Sequence, residues 1–268
     1  MNNPSEPALE WLPDPVRKYL NAPTASKVPE ITATFWAVKL LTTAVGEATS
    51  DSLVHQFGGP VAVPIGAVAF ALAIAVQFSR RRYETWAYWI AVGMVGVFGT
   101  MAADVLHVGL GIPYLVSASF YLVVLAVVFW LWHRCEGTLS IHSITSRRRE
   151  SFYWLAVLAT FALGTATGDL TATTFHLGYL GSAVMFAVLF AVPGLVFWAW
   201  RRHGVLFFWV AYVLTRPFGA SVADWLGFSH ARGGEGVGSA TVAVLGTVLF
   251  AILVAYLAFT HVDVEPEP

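Results

Sequence analysis

The sequence predicts an all-α integral membrane protein of eight transmembrane helices, made of four tandem two-helix repeats in a pseudo-four-fold array about an axis along the membrane normal. Three observations carry that expectation. The 268 residues are 57% hydrophobic and only 12% charged, with a mean hydropathy of +0.67, whereas a soluble domain carries roughly twice that charged fraction. Eight apolar segments each approach the roughly 20 residues that cross about 30 Å of hydrocarbon. The third observation is an internal repeat of fixed spacing. An aromatic–Trp pair is followed 10 residues after the Trp by glycine and 5 residues later by aspartate. The four copies are Phe35-Trp36, Gly46, Asp51; Tyr88-Trp89, Gly99, Asp104; Tyr153-Trp154, Gly164, Asp169; and Phe208-Trp209, Gly219, Asp224. Self-similarity at constant spacing makes the repeat the unit of architecture.

In chain order, residues 1–30 form a polar, proline-rich arm without the apolar core of a signal peptide. Its Trp11, Leu12, Val16, Tyr19 and Leu20 suit either a short interfacial helix or a tethered segment. The apolar segments are 31–54, 61–79, 85–106, 113–132, 152–175, 178–200, 204–226 and 237–260. They group into a single transmembrane domain, 31–260, whose repeats are 31–79, 85–132, 152–200 and 204–260. Two-span repeats all enter in the same direction, which sets them apart from inverted repeats. The tail, 261–268, is acidic and expected to be disordered.

Charge orients the chain. Arg17, Lys18, Lys27, Arg80, Arg81, Arg82, Arg134, Arg147, Arg148, Arg149, Arg201 and Arg202 fall on one side, with Arg147–Arg149 assigned to the link between the fourth and fifth helices. Only Arg232 lies on the other side, and Lys39 and Arg216 lie within helices. The positive-inside rule then makes both termini cytoplasmic. The single cysteine, Cys135, excludes an internal disulfide or a cysteine-rich metal site.

In each first helix of a repeat, the positions 4, 8 and 12 residues before the aspartate share its face. These stripes read Lys39, Thr43, Glu47, Asp51; Val92, Gly96, Thr100, Asp104; Val157, Phe161, Thr165, Asp169; and Tyr212, Arg216, Ala220, Asp224. Ionisable groups facing lipid cost several kcal/mol, so the stripes are expected to face one another around a central axis. The aspartates would then form a ring in the outer half of the membrane. Five acids, Glu47 and the four aspartates, stand against two bases, Lys39 and Arg216. Such an excess either binds cations or stays partly protonated. A purely structural alternative is that each aspartate caps a neighbouring helix.

Four histidines follow the aspartates at uneven offsets: His55, His107, His176 and His230. Mixed carboxylate and imidazole donors favour Mn(II), Fe(II) or Zn(II) over Mg(II) or Ca(II), although loop histidines at a headgroup interface would look the same. Arg216 could reach Glu47 across the axis. Lys39 and Glu47 are two turns apart, roughly 12 Å, too far for direct pairing. The pair acts either as static neutralisation or as a counter-charge that gates. The tryptophans are expected in an interfacial aromatic belt, and the repeat glycines at close helix–helix approaches. Thr42, Thr43, Thr160, Thr165 and Thr215 either line a polar path or bond back to the helix. No nucleotide-binding Gly-x-x-x-x-Gly-Lys-Ser/Thr, His-Glu-x-x-His or Gly-x-Ser-x-Gly occurs, which argues against an ATP-driven pump or a standard membrane hydrolase.

The string Lys27-Val-Pro-Glu-Ile-Thr, with Phe35-Trp36 and the run from Leu41 to Asp51, resembles a family of bacterial integral membrane proteins known as membrane-anchored proteins. That family is built from four tandem two-helix repeats, each with a characteristic tryptophan. The resemblance spans residues 27–260 and implies the eight-helix fold and the bacterial inner membrane, without an activity to carry over. Strict repetition breaks at the position after the glycine, which is Glu47, Thr100, Thr165 and Ala220.

The functional expectation is a secondary transporter or exporter of a cation, most simply a divalent transition metal. Asp51, Asp104, Asp169, Asp224 and Glu47 would form the site, with Lys39 and Arg216 as counter-charges and His55, His107, His176 and His230 as candidate metal ligands. The expected partners are membrane lipids and the transported cation, with no nucleic acid. Two alternatives remain. One is a membrane-embedded metal-dependent hydrolase with an open coordination position. The other is a structural or regulatory protein whose polar stripes only specify packing.

Overall fold

The computed structural model describes residues 26–264 apart from 201 and 202, together with Pro13 and Val16. The remaining arm residues, Arg201, Arg202 and the last four residues of the tail lie outside the described residues. The eight helices are α1 (Ala33–Phe57), α2 (Gly59–Ser79), α3 (Thr85–Asp104), α4 (Tyr114–Glu136), α5 (Arg147–Asp169), α6 (Gly178–Trp200), α7 (Gly204–Gly227) and α8 (Ser239–Thr260). Immediately after their aspartates, α3 and α5 widen into π-helical turns, Val105–Gly109 and Leu170–Thr174. Among the described residues, seven helices are long and apolar enough to cross a membrane. The other, α1, is 25 residues long and carries Lys39, Glu47 and Asp51.

The odd helices contact one another in a closed cycle, α1 to α3 to α5 to α7 and back to α1. Each even helix packs mainly on the odd helix of the following repeat, α2 on α3, α4 on α5 and α6 on α7, and α8 closes the ring on α1. The repeats therefore interlock, and none buries its own apolar surface alone. Burial follows this layering: 78% of the α5 span is inside the protein but only 17% of α8. The even helices present rows such as Ile65, Val68 and Leu72, or Val244, Val248 and Ile252, to the outside. An apolar surface of that extent suits lipid contact and would be an aggregation liability in water.

The repeat signature supplies the joints. A side chain added at Gly46 would lie 2.7 Å from the Gly96 backbone, and at Gly99 2.7 Å from Phe161 Cβ. Gly164 receives Arg216 in the same way, and Gly219 receives Thr43. In all four cases the incoming residue sits 8 positions before the aspartate of the neighbouring repeat. The aromatic pairs repeat the pattern at the other end. Phe35 packs on Trp89, Tyr88 on Trp154 and Phe208 on Trp36, each with ring centroids 5.7 Å apart, and Tyr153 on Trp209 at 6.2 Å. Trp89, Trp154 and Trp209 are buried. This corrects the expected interfacial belt: the rings fill the seams between repeats, where their area is removed from solvent and lipid alike.

Two polar connections clamp the tryptophan end. The Lys27 ammonium pairs with Glu150 and donates to the Gln77 carbonyl at 3.2 Å, while Gln77 Nε2 donates to Glu150 at 3.1 Å. Burial pushes the Lys27 ammonium below its ordinary range, and Glu150 opposes that shift. Asp263 accepts from the Tyr83 hydroxyl and, at 3.3 Å, from Thr85, and its carbonyl accepts from Glu30 N at 3.0 Å. The tail is therefore docked at Asp263, which is buried between exposed neighbours, contrary to the expectation of disorder from 261. The arginine-rich link is also shorter than expected. Ser146 caps α5 by accepting from Arg149 N, so Arg147–Arg149 form the first helical turn. Arg148 and Arg149 pair with Glu136 at 2.6 and 2.8 Å, binding α4 to α5.

The nested glycines make a direct prediction. Gly46→Ala and Gly99→Ala should each lower stability by about 1–3 kcal/mol through overpacking. Gly93→Ala, in α3 with nothing within 4 Å of the added carbon, should be neutral or slightly stabilising. Thermal unfolding of the detergent-purified chain checks this, and equal shifts for all three would show that the glycines do not seat the neighbouring helix.

Candidate functional site

A chamber of about 740 Å³ opens at the aspartate end of the bundle, lined by Glu47, Asp51, Asp104, Asp169 and Asp224 with Tyr114, Tyr179, Phe228 and Arg232 around them. All five carboxylates singled out in the sequence reach it, because i, i+4 spacing holds each stripe on the inner face of its odd helix. They do not form one even ring. Asp104, His107 and Asp169 make one group and Glu47, Asp51 and Asp224 another, each with candidate ligand atoms within 4.8 Å of one another.

The first group sits where α3 passes into its π-helical turn. His107 lies in that turn, three residues beyond its own aspartate, and such turns recur at functional positions. His107 Nε2 lies 2.9 Å from Asp104 Oδ1 and 3.3 Å from Asp169 Oδ2, joining repeats 2 and 3. Its Nδ1 is 3.5 Å from Ser117 Oγ, and its ring lies against Tyr114. The other histidines do not join either group. His55 is exposed on the chamber lining. His176 is exposed and takes a left-handed backbone (φ 57°) where α5 ends. His230 is exposed, with Nδ1 2.9 Å from the Gly234 carbonyl oxygen of its own loop.

In the second group, Asp224 is 5% exposed and its carboxylate makes no hydrogen bond or ion pair among the described residues. Glu47 is held from below. The buried Arg216 guanidinium donates through Nη2 to Glu47 Oε2, to Thr100 and, at 2.7 Å, to Thr165, and through Nη1 to the Thr43 carbonyl at 3.2 Å. Glu47, Thr100 and Thr165 occupy the same stripe position in repeats 1, 2 and 3, so one arginine from repeat 4 gathers all three. Its own repeat places Ala220 there, one turn beyond Arg216 on α7.

Beneath this clasp the bundle is closed. Lys39 Nζ lies between the rings of Phe161 and Tyr212, 4.1 and 4.2 Å from their centroids, with no hydrogen-bond partner among the described residues. It is fully buried and does not pair with Glu47, in keeping with their separation along the helix. The Tyr88 and Tyr153 hydroxyls, 2.5 Å apart, and the aromatic seams complete the seal.

The family described as Repeat of Unknown Function (DUF347) matches the chain four times, at residues 34–83, 87–138, 152–203 and 207–263. The chain belongs to this family. No curated protein and no solved structure matches it. The four DUF347 repeats coincide with the four signature copies, so the glycine joints, the aromatic seams and the chamber aspartates each come once per DUF347 unit. What the units do not share is the chemistry near the axis: Glu47, Lys39, Arg216 and His107 each occur in one repeat.

Sequence reasoning did not find the Thr100–Arg216 contact, the Lys27–Glu150 pair, or Tyr114, Tyr179 and Arg232 in the chamber wall. Thr100 carried a signal, since it holds the stripe position of Glu47. Lys27 and Glu150 are 123 residues apart and share no periodicity.

Removing one partner of a buried ion pair strands the other, so Arg216→Ala should destabilise the fold by about 3–5 kcal/mol. Replacing both, as Glu47→Met with Arg216→Met, should recover most of that loss. A double-mutant cycle on thermal unfolding measures the recovery, and additive losses would show that the two groups are not coupled.

Proposed function

We propose that this DUF347 protein is a multi-pass secondary carrier of a divalent transition-metal cation in the bacterial inner membrane. The bundle would be pseudo-four-fold about an axis along the membrane normal, with both termini cytoplasmic. The single observation that carries the reading is the convergence of five carboxylates on one chamber, two of which, Asp104 and Asp169, are joined by the buried imidazole of His107. In this orientation the arginine-rich links face the cytoplasm and the chamber faces outward.

The donor set supports a transition metal. One imidazole nitrogen between two carboxylates suits Mn(II), Fe(II), Co(II) or Zn(II) better than an all-oxygen site would. Asp104 and Asp169 would supply charge, and His107 selectivity. Neutral His107 is the form that can ligate, so the metal must replace whatever proton bridges the ring to the two carboxylates.

The inner closure supports a carrier over a pore. A cation leaving the chamber meets the Arg216 guanidinium and then the Lys39 amine, both fully buried on the axis. The Arg216 guanidinium, held in a low-dielectric constriction, opposes a cation, and the Lys39 side chain fills the space behind it. Passage therefore needs the Glu47–Arg216–Thr100–Thr165 clasp to come apart, which one rigid arrangement of the odd helices does not permit. Alternation between an outward and an inward chamber, driven by an ion gradient or the membrane potential, satisfies that requirement.

Uptake into proteoliposomes tests the proposal. Wild-type protein should give saturable flux of one of Mn(II), Zn(II) or Co(II), well above that of Mg(II) and Na(I). Asp104→Asn and Asp169→Asn should each reduce it by at least about tenfold, given that even an indirect ligand contact is worth 10–100-fold in metal affinity. Absence of flux from well-folded wild-type protein would overturn the carrier. Appearance of a hydrolysed lipid or amide product would favour the enzymatic alternative.

A further inference from the structure

The chamber is chemically divided. The group formed by Asp104, His107 and Asp169 offers nitrogen and oxygen, and that formed by Glu47, Asp51 and Asp224 offers only oxygen. A cluster of acids alone would not mark a site, because carboxylates can be held by basic neighbours or donors. Asp224 is not. The residue is 5% exposed and lines the chamber, and its carboxylate has no hydrogen bond or ion pair among the described residues. A carboxylate buried to that degree and left unpartnered is costly unless something fills the space in front of it.

Glu47 is arranged to share. Arg216 and Thr100 both engage its Oε2, and no hydrogen bond among the described residues engages Oε1. One side of the carboxylate is tied to the clasp and the other is left for the chamber. The three carboxylates and the Arg216 guanidinium together carry two negative charges when ionised, an excess that a divalent cation would balance, with Arg232 also in the chamber wall. Oxygens bound to a single Ca(II) at roughly 2.3–2.6 Å lie at most about 5 Å apart, a limit that this group meets, since its candidate ligand atoms all lie within 4.8 Å of one another.

We infer that Glu47, Asp51 and Asp224 form a second cation site, taking a hard, oxygen-preferring divalent ion of the Ca(II) or Mg(II) class, separate from the site at His107. The inference rests on the cation-binding reading of the chamber but not on transport. Repeats 4 and 1 build the hard site, and repeats 2 and 3 the mixed one. An ion at the hard site bears on Glu47 and so on the Arg216 clasp, which places it between the chamber and the closure.

The test is equilibrium binding to the full chain, purified in detergent and stripped with chelator. Ca(II), Mg(II) and Zn(II) are each added alone, with elemental analysis after dialysis. Wild type should bind one Ca(II) or Mg(II) per chain at a site that survives His107→Ala. Asp224→Asn should weaken that binding at least tenfold and leave Zn(II) binding intact, whereas His107→Ala should do the reverse. Thermal unfolding and gel filtration verify each variant, and Asp51→Asn is the second variant should Asp224→Asn fail to fold. Folded wild type that binds neither Ca(II) nor Mg(II) would overturn the inference, with Asp224 then held as the neutral acid. Equal loss of both ions in both variants would overturn it too, since that describes one shared site. Two independent sites with no flux would sink the carrier and leave this inference standing, and Zn(II) flux without a hard-ion site would do the opposite.

Discussion

The structure depends on how a guanidinium is kept at the centre of an apolar bundle. Taking an arginine out of water costs several kcal/mol even after relaxation, and hydrogen-bond acceptors must offset it; here they gather on the two terminal nitrogens, while Nε has no partner among the described residues. Arg216 has Glu47, Thr100, Thr165 and the Thr43 carbonyl, one contact from every other odd helix and a backbone contact besides. Because the acceptors come from different helices, the charge can be satisfied only while α1, α3, α5 and α7 stay in register. The clasp is at once a neutralisation device and a constraint on the positions of four helices.

The joints around the clasp make that register attainable. Gly164 admits the stem of Arg216, and Gly219 admits Thr43. With any larger residue at these points the odd helices would stand further apart and the guanidinium would lose reach to its acceptors. The even helices add a second restraint, since each packs on the next repeat rather than on its own. An interlocked ring of this kind spreads a local change of tilt to every neighbour. A conformational change that opens the clasp is therefore expected to be collective, a movement of packed helices rather than a side-chain rotation.

Much of this was legible in the sequence, and the remainder was hidden for physical reasons. Helix positions followed from apolar runs, and the inner stripes from i, i+4 spacing, because a charge in hydrocarbon has few places to go. Glu47 with Arg216 could be anticipated from their height on adjacent stripes. His107 could not be separated from His55, His176 and His230, since all four follow an aspartate at short, uneven offsets and the contact with Asp169 comes from another repeat. The tryptophans were misplaced because an indole suits an interface and an interhelical seam equally well. The docking of Asp263 onto Tyr83 and Thr85 joins segments almost 180 residues apart, and no local pattern announces it.

The departures from repetition are confined to the axis, and they depend on one another. Arg216 without Glu47 would leave a buried cation, and Glu47 without Arg216 a further uncompensated acid in an already acidic chamber. Ala220 keeps a fourth polar side chain away from the position that Arg216 serves in the other repeats. Once Glu47 is tied into the clasp, the aspartates of repeats 1 and 4 stand beside an oxygen-rich pocket, while those of repeats 2 and 3 stand beside an imidazole. A scaffold repeated four times thus presents two unlike halves at its centre. A pore that passes ions along its axis has no need of that inequality. A chamber of the kind proposed, one that holds an ion, discriminates among ions and stays shut behind them, does.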